Sequence, residues 1–337
     1  MIRLITLQEF SMPVEPIAVC AGEILVDLIP TEVGTYREGL TLEVHFGGAP
    51  ANVAVGLSKL GVPTAFIGAV GDDAFGEMLI RYLSEEGVFT GWLSVKKART
   101  SLAFVIARPE GEREFFFYRA PWVRTADCLL EDRDIDWEAV KAAKVLHVSG
   151  VALSQPPLSE TVLRLMEVLK RQGAHVSLDP NFRSDIWLGE IDRAKREFLR
   201  AAEYATLITL GFDELLPLLG TEDYRRATSF ILEQKPDLEH VAVRLGSRGA
   251  YVVSREGEEA LVEAFKVHVV DTTGAGDAWT AGFITFRLIE GRDLREAVLL
   301  ANAVAAMKCT RRGATTAMPR RFELKEFLNA RGTGVEV

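Results

Sequence analysis

The sequence predicts an α/β fold: a mostly parallel central sheet with helices on both faces, plus a small second β-sheet. Three observations predict it. Short apolar runs alternate with amphipathic stretches along most of the chain. The runs are nearly continuous in Val, Ile, Leu and Ala, as suits strands buried on both faces of a parallel sheet. Two stretches, near residues 31–46 and 98–122, break this grammar and are richer in strand formers with alternating pattern.

The elements follow in order. Residues 1–15 read as a loosely held N-terminal extension; their apolar stretch is short, is broken by Gln8 and Glu9, and does not make a secretory signal. PIAVCAGEILVDLI reads as the first strand. APANVAVGLSKLG carries apolar residues at helical spacing and stops on Gly61, and DDAFGEMLIRYLSEEG opens on two aspartates and stops on Gly87. TSLAFVIARPEGEREFFFYRA reads as a hairpin turning at RPEGER. It is either an edge hairpin of the main sheet or a separate small sheet over the sheet's open end. AKVLHVSG, AHVSLDPN, ATLITL and HVAVRLG are further strands, and LSETVLRLMEVLKRQG is a helix between them. Strand–helix alternation implies βαβ units. With no repeat and no low-complexity linker, one domain is expected over 16–330, the small sheet inserted within it, and 331–337 as a tail.

Composition narrows the function classes. The 337 residues are 48% hydrophobic and 26% charged, with a formal net charge of −9. An acidic chain without a basic, aromatic-laced stripe is a poor nucleic-acid binder. No apolar run approaches the ~18 residues a membrane span needs. Cys20, Cys128 and Cys309 are odd in number and fit no zinc spacing, so they read as reduced thiols of a cytoplasmic protein.

Two segments carry chemistry. In VVDTTGAGDAWTAGFITF, apolar strand residues lead into Asp271, Thr272 and Thr273, then into the small-residue loop Gly274-Ala275-Gly276. Asp277 then opens a helix running to about Glu290. Glycines and a helix N-terminus make an anion site. This is neither a Walker loop nor a dinucleotide fingerprint, since the lysine and the glycine spacing are wrong. Asp277 is open to two readings: an N-cap, or a base that takes a proton from an alcohol attacking a phosphoryl group held by the loop amides. In HFGGAPANVAVGLSKLG, two glycines precede a helix whose Asn52 suits sugar hydroxyls; a tight turn before a capped helix accounts for it equally well.

Together these segments resemble the two signatures of the PfkB family of carbohydrate kinases, which includes ribokinase and fructokinase. The first is matched by Gly47 through Ala54 and the second by Asp271 through Ala278. The resemblance continues through GEILVDL, AFIGAVGDDAFGEML, SLDPNFR, VRLGSRGA and ANAVAAMKCTRRGA. It implies a ribokinase-like three-layer α/β/α sandwich with a β-sheet lid, and ATP with Mg2+ as co-substrates. It makes Asp277 the base and Gly274, Ala275 and Gly276 the anion hole. It places Asp27, Gly47, Gly48 and Asn52 on the sugar, and Arg244, Gly246, Gly249 and Asn302 on the nucleotide. It further implies a monovalent cation such as K+ near Asp271, Thr273 and Gly313, and a homodimer formed through the lid. Many relatives carry Asn-x-x-Glu near the Mg2+-phosphate site; here Gly211 replaces the Asn and Glu214 is kept. Glu214 either orders metal-bound water or is a solvated helix-start carboxylate. Inactive relatives serve as binding proteins, but a retained Asp277 and an intact loop argue for an enzyme acting on sugar and ATP, with no nucleic-acid or membrane partner.

Within the family the similarity is to fructokinases, through LVDLIPTEVG, ARTSLAFV, GEREFFFYRAP followed by ADCLL, and DPNFRSDIW. Tyr118, Arg119 and Arg183 are placed on the substrate. The same arginines would suit the carboxylate of 2-keto-3-deoxygluconate, the runner-up substrate. The extra WVRT, residues 122–125, either alters sugar specificity or lengthens a surface loop.

Overall fold

The structure, a computed structural model, describes residues 16–107 and 113–337. The expected extension 1–15 and most of the RPEGER turn lie outside these. In chain order the strands are β1 (Ala18–Ala21), β2 (Leu25–Pro30), β3 (Leu42–Gly47), β4 (Thr64–Gly71), β5 (Leu93–Lys96), β6 (Ser101–Ala107), β7 (Arg113–Tyr118), β8 (Val145–Ser149), β9 (His175–Asp179), β10 (Leu207–Gly211), β11 (His240–Arg244), β12 (Ala250–Ser254) and β13 (Glu259–Val262). Nine of them form one sheet in the order β13-β12-β11-β10-β9-β8-β1-β4-β5. From β11 to β5 every pairing is parallel; β12 and β13 add an antiparallel edge.

Both faces of this sheet are buried, and β1 illustrates how. Val19 and Ala21 belong to the core on one face, with Leu158, Val162 and Leu165 of the helix Leu158–Arg171. Ala18 and Cys20 belong to the other, with Leu57, Phe283 and Val298. Strands of this kind show no apolar alternation, which is why they read as continuous runs. The helices sit where their sequence signals put them: Asp73 caps Ala74–Glu85 by accepting from the Gly76 amide at 2.9 Å, and Asp293 caps Leu294–Cys309 from the Glu296 amide at 3.0 Å. In the segment 331–337, Val335 and Val337 pack against the second core.

The second sheet has the order β3-β2-β6-β7 and is separate from the first. This corrects the reading of PIAVCAGEILVDLI as one strand. Gly22, at φ 142°, breaks it into β1 of the large sheet and β2 of the small one. The small sheet is therefore built from 25–30, 42–47, 101–107 and 113–118, while residues 31–41 contribute no strand.

Three helices on one face of the sheet pass one another at backbone distance. A Cβ on Gly56, in the helix Ala49–Lys59, would fall 2.7 Å from the Ala281 Cβ in Ala275–Phe283. One on Gly282 would fall 2.9 Å from the Ala301 Cα in Leu294–Cys309. Small residues at these crossings set the two sequence signatures against each other.

Candidate functional site

The anion loop is fastened before it begins. Val269 and Val270 were expected to end a strand; instead they are exposed, and the Val270 and Asp271 amides donate to the Cys309 carbonyl at 2.8 and 3.2 Å. A helix terminus thus takes the donors that a strand neighbour would have taken. The buried Asp271 carboxylate accepts from the Thr273 amide at 2.8 Å and the Gly313 amide at 2.9 Å. The Lys308 ammonium donates to the Asp271 carbonyl at 2.6 Å. Gly274 takes φ 76°, a left-handed turn that admits glycine, and starts the helix Ala275–Phe283. The Ala275 amide, expected in the anion hole, is spent on the Thr272 carbonyl at 3.1 Å, whereas among the described residues no acceptor meets the amides of Gly274, Gly276 and Asp277. Those three, at the positive end of the helix, are donors open to an anion.

Asp277 and Asn52 meet. Asn52 Nδ2 donates to Asp277 Oδ2 at 2.8 Å, and Asn52 Oδ1 is buried with no partner among the described residues, open to a ligand's donor. Burial pushes the Asp277 carboxyl up to about 6, with nearby Asp179 adding to the rise and Asn52, Arg244 and Arg183 opposing it. A carboxyl tuned toward neutrality suits a general base.

Beneath the loop lies a charged cluster. Arg244 donates to Asp179 Oδ2 and, at 3.1 Å, to Thr280 Oγ1. Burial disfavours the Asp179 charge, but Arg244, His147 and the Asn181 amide together outweigh it and hold that carboxyl below its ordinary value. Arg244, expected on the nucleotide, lines the cleft and also backs the loop, its guanidinium 3.3 Å from where a Gly276 Cβ would be. Glu214 is not a solvated carboxylate. It is buried, accepts from the Phe182 and Gly211 amides at 2.6 Å each, and is pushed up first by burial and then by Asp179.

These groups line one cleft of about 1220 Å3. Its far end is formed by Gly246, Gly249 and Asn302. The Asn302 side chain is spent on the protein, accepting from Trp279 Nε1 at 2.8 Å and donating to the Val262 carbonyl at 2.9 Å, so it shapes that wall. The small sheet contributes Asp27, Glu114, Phe115 and Phe117 to the lining, with Gly48 and with Arg183, whose guanidinium lies 5.8 Å over the Phe115 ring. Gly47 is set behind this wall, where a Cβ would fall 2.6 Å from the Asp27 carboxylate.

Two expected substrate residues are elsewhere. Alternation along β7 turns Phe115 and Phe117 toward the cleft, so Tyr118 points out and is 52% exposed. Arg119 is fully buried, donating to Asp127 Oδ2 at 2.6 Å and Ser154 Oγ at 3.3 Å. Trp122 is 59% exposed and neither it nor Arg124 lines the cleft, so WVR lengthens a surface loop, while Thr125 is buried and donates to Asp127 Oδ1 at 3.1 Å. The residue reading missed Glu23 and Asp179. Burial pushes the Glu23 carboxyl up to about 7, and it accepts from Ser149 Oγ at 2.7 Å. Asp179 had a legible signal: an acid at the carboxyl end of a core strand, where open α/β sheets bind ligands.

Known proteins share this architecture. Residues 17–321 match the pfkB family of carbohydrate kinases. A probable fructokinase-7 of Arabidopsis thaliana is 38% identical over 94% of this chain and 93% of its own. A fructokinase of Xylella fastidiosa solved with ATP superposes with a TM-score of 0.81 at 27% identity, covering 95% of this chain and 100% of the other. A fructokinase double mutant of Vibrio cholerae, bound to fructose, ADP and potassium ion, gives 0.79 at 30% identity, covering 94% and 99%. With its signature Asp277 and Asn52 hydrogen-bonded in the cleft and its sequence matched over residues 17–321, this chain belongs to the pfkB family of carbohydrate kinases.

Proposed function

We propose that this carbohydrate kinase transfers the γ-phosphoryl group of ATP to D-fructose, giving fructose 6-phosphate. The observation that carries the choice of sugar is that neither Tyr118 nor Arg119 lines the cleft, where Arg183 lies over the Phe115 ring of the small sheet. A sugar acid would need the Tyr118–Arg119 pair, and those side chains are directed outward and buried. The two fructose-named relatives with structures agree with a neutral ketose.

Asp277 takes the proton of the attacking hydroxyl, and Asn52 fixes the orientation of its carboxylate. The Gly274, Gly276 and Asp277 amides, with the helix N-terminus, receive charge developing on the transferred group. ATP lies toward Gly246, Gly249 and Asn302. Among the described residues no cluster of three or more acidic, His or Cys side chains forms a metal cage. That suits Mg2+, which keeps its waters and rides on phosphates. Bound so, it would neutralise phosphate charge, with the buried Glu214 placed to accept from its waters. The small sheet acts as a lid over the sugar and as a dimer interface. Three free cysteines, two of them buried, favour the cytoplasm, which fractionation of cells would check.

The test is a panel of sugars and sugar acids in an ADP-release assay. Fructose should give the highest kcat/KM. A preference of about tenfold or more for 2-keto-3-deoxygluconate, ~1.4 kcal/mol of transition-state binding, would overturn the sugar while leaving the kinase intact.

A further inference from the structure

The segment that anchors the anion loop contains a buried positive charge with no part in the chemistry above. Lys308 lies in the last turn of the helix Leu294–Cys309, behind the apolar run AVAAM, and none of its surface is exposed. Its ammonium donates to the Asp271 carbonyl at 2.6 Å and stands 3.8 Å from Asp271 Oδ1. A lysine is retained in such surroundings only when its charge is compensated. A compensating residue among the described ones is Asp271, whose carboxylate ties Thr273 to Gly313 under the loop.

Asp271, Thr273 and Gly313 are also where the sequence led us to expect oxygens around a monovalent cation, and the Vibrio cholerae fructokinase is a potassium complex. The residues of this chain do not fit such an ion. The Asp271 carbonyl already accepts from an ammonium, and a second unit charge beside Lys308 would meet strong repulsion in a buried site. We infer that Lys308 is a tethered substitute for the monovalent cation, so that this kinase neither binds nor needs potassium at Asp271. Ammonium and potassium each bring one positive charge to a set of carbonyl and carboxylate oxygens. The lysine adds directional N–H donors and a covalent link to the helix that flanks the loop. Its charge is therefore present whatever the salt, and the loop is held in its anion-binding form without an external ligand.

This rests on the kinase activity of the family and not on fructose as the sugar. The full chain is assayed, with saturating sugar and MgATP, in tetramethylammonium chloride and in rising KCl at constant ionic strength. Thermal unfolding is followed in the same buffers. Wild-type turnover and melting temperature should both be flat in potassium. Lys308→Ala vacates both charge and space. Its turnover without potassium should fall about tenfold or more, recover on adding K+ or NH4+, and be accompanied by a melting temperature that rises with K+. Potassium activation of the wild type, a potassium-dependent melting temperature of the wild type, or full cation-free turnover of Lys308→Ala would each overturn the inference. If Lys308→Ala does not fold, the two wild-type titrations decide. If no sugar tested is turned over, the melting curves still decide, separately from the identity of the substrate.

Discussion

Asp277 has to lose its proton to act as a base, and its burial sets the pH at which it does. Its carboxyl is pushed up to about 6, so below that pH it is protonated and cannot accept from the sugar. Log kcat/KM is expected to fall with unit slope as pH drops through about 6 and to level off above. Asp277→Asn should keep ATP binding yet lose roughly 10²–10⁴ in rate, the usual size of a general-base deletion. A profile flat down to pH ~5, a full unit below the value expected, would remove Asp277 from the base role, as would wild-type turnover in the variant. Arg119 makes the opposite case. Its guanidinium is paired with the equally buried Asp127, so Arg119→Met leaves a carboxylate without its countercharge. We expect a stability loss of about 3–5 kcal/mol in denaturant titrations, with little change in the KM for sugar. Normal stability with a raised KM would return Arg119 to the substrate. Sequence alone could not separate Arg119 from Arg183: both follow an aromatic residue and both suit an anion. Only the point at which β7 ends decides that one is sealed inside and the other faces the cleft.

At the scale of elements, catalysis depends on how closely two helices pass. Gly56→Val would place a branched side chain 2.7 Å from the Ala281 Cβ and force the helix of Asn52 away from that of Asp277. Overpacking of this kind costs about 1–3 kcal/mol. The variant should also lose kcat by more than its stability loss explains, because the Asn52–Asp277 hydrogen bond stretches. A destabilised variant with wild-type kcat would show that the bond is dispensable. The helices themselves were legible, since caps such as Asp73 and stops such as Gly61 act locally. The strands were harder. A strand buried on both faces has no period, so the passage of the chain from β1 to β2 leaves no mark except Gly22 and Glu23. The apolar pair Val269-Val270 read as strand because nothing local reveals that its amides are taken by the Cys309 carbonyl.

At the scale of the molecule, the sequence reading brought Asn52 and Asp277 together because each lies in an ordered signature. It could not see Lys308, whose significance comes from a partner far away in the chain. The small sheet raises the remaining question, since it has two faces and one cleft. Phe115 and Phe117 face the cleft. On the other face Phe116 stacks on Phe104 at 4.9 Å, with Tyr36 at 5.7 Å from Phe116 and Tyr118 at 5.1 Å from Phe104. Tyr36, Val44 and Tyr118 are 39%, 49% and 52% exposed, so this aromatic surface meets water in the single chain. An outward apolar sheet face calls for cover, and a second copy of the same sheet supplies a self-complementary one. Sedimentation at micromolar protein should therefore report a dimer. Tyr118→Lys should weaken it by about 2 kcal/mol or more, roughly 30-fold in Kd, as expected for an aromatic anchor at an interface. Its side chain is half exposed, so the fold should survive and the melting temperature extrapolated to low concentration should stay near wild type. A wild-type monomer across that range, or a Tyr118→Lys variant that dimerises as tightly as wild type, would assign the face to something other than self-association.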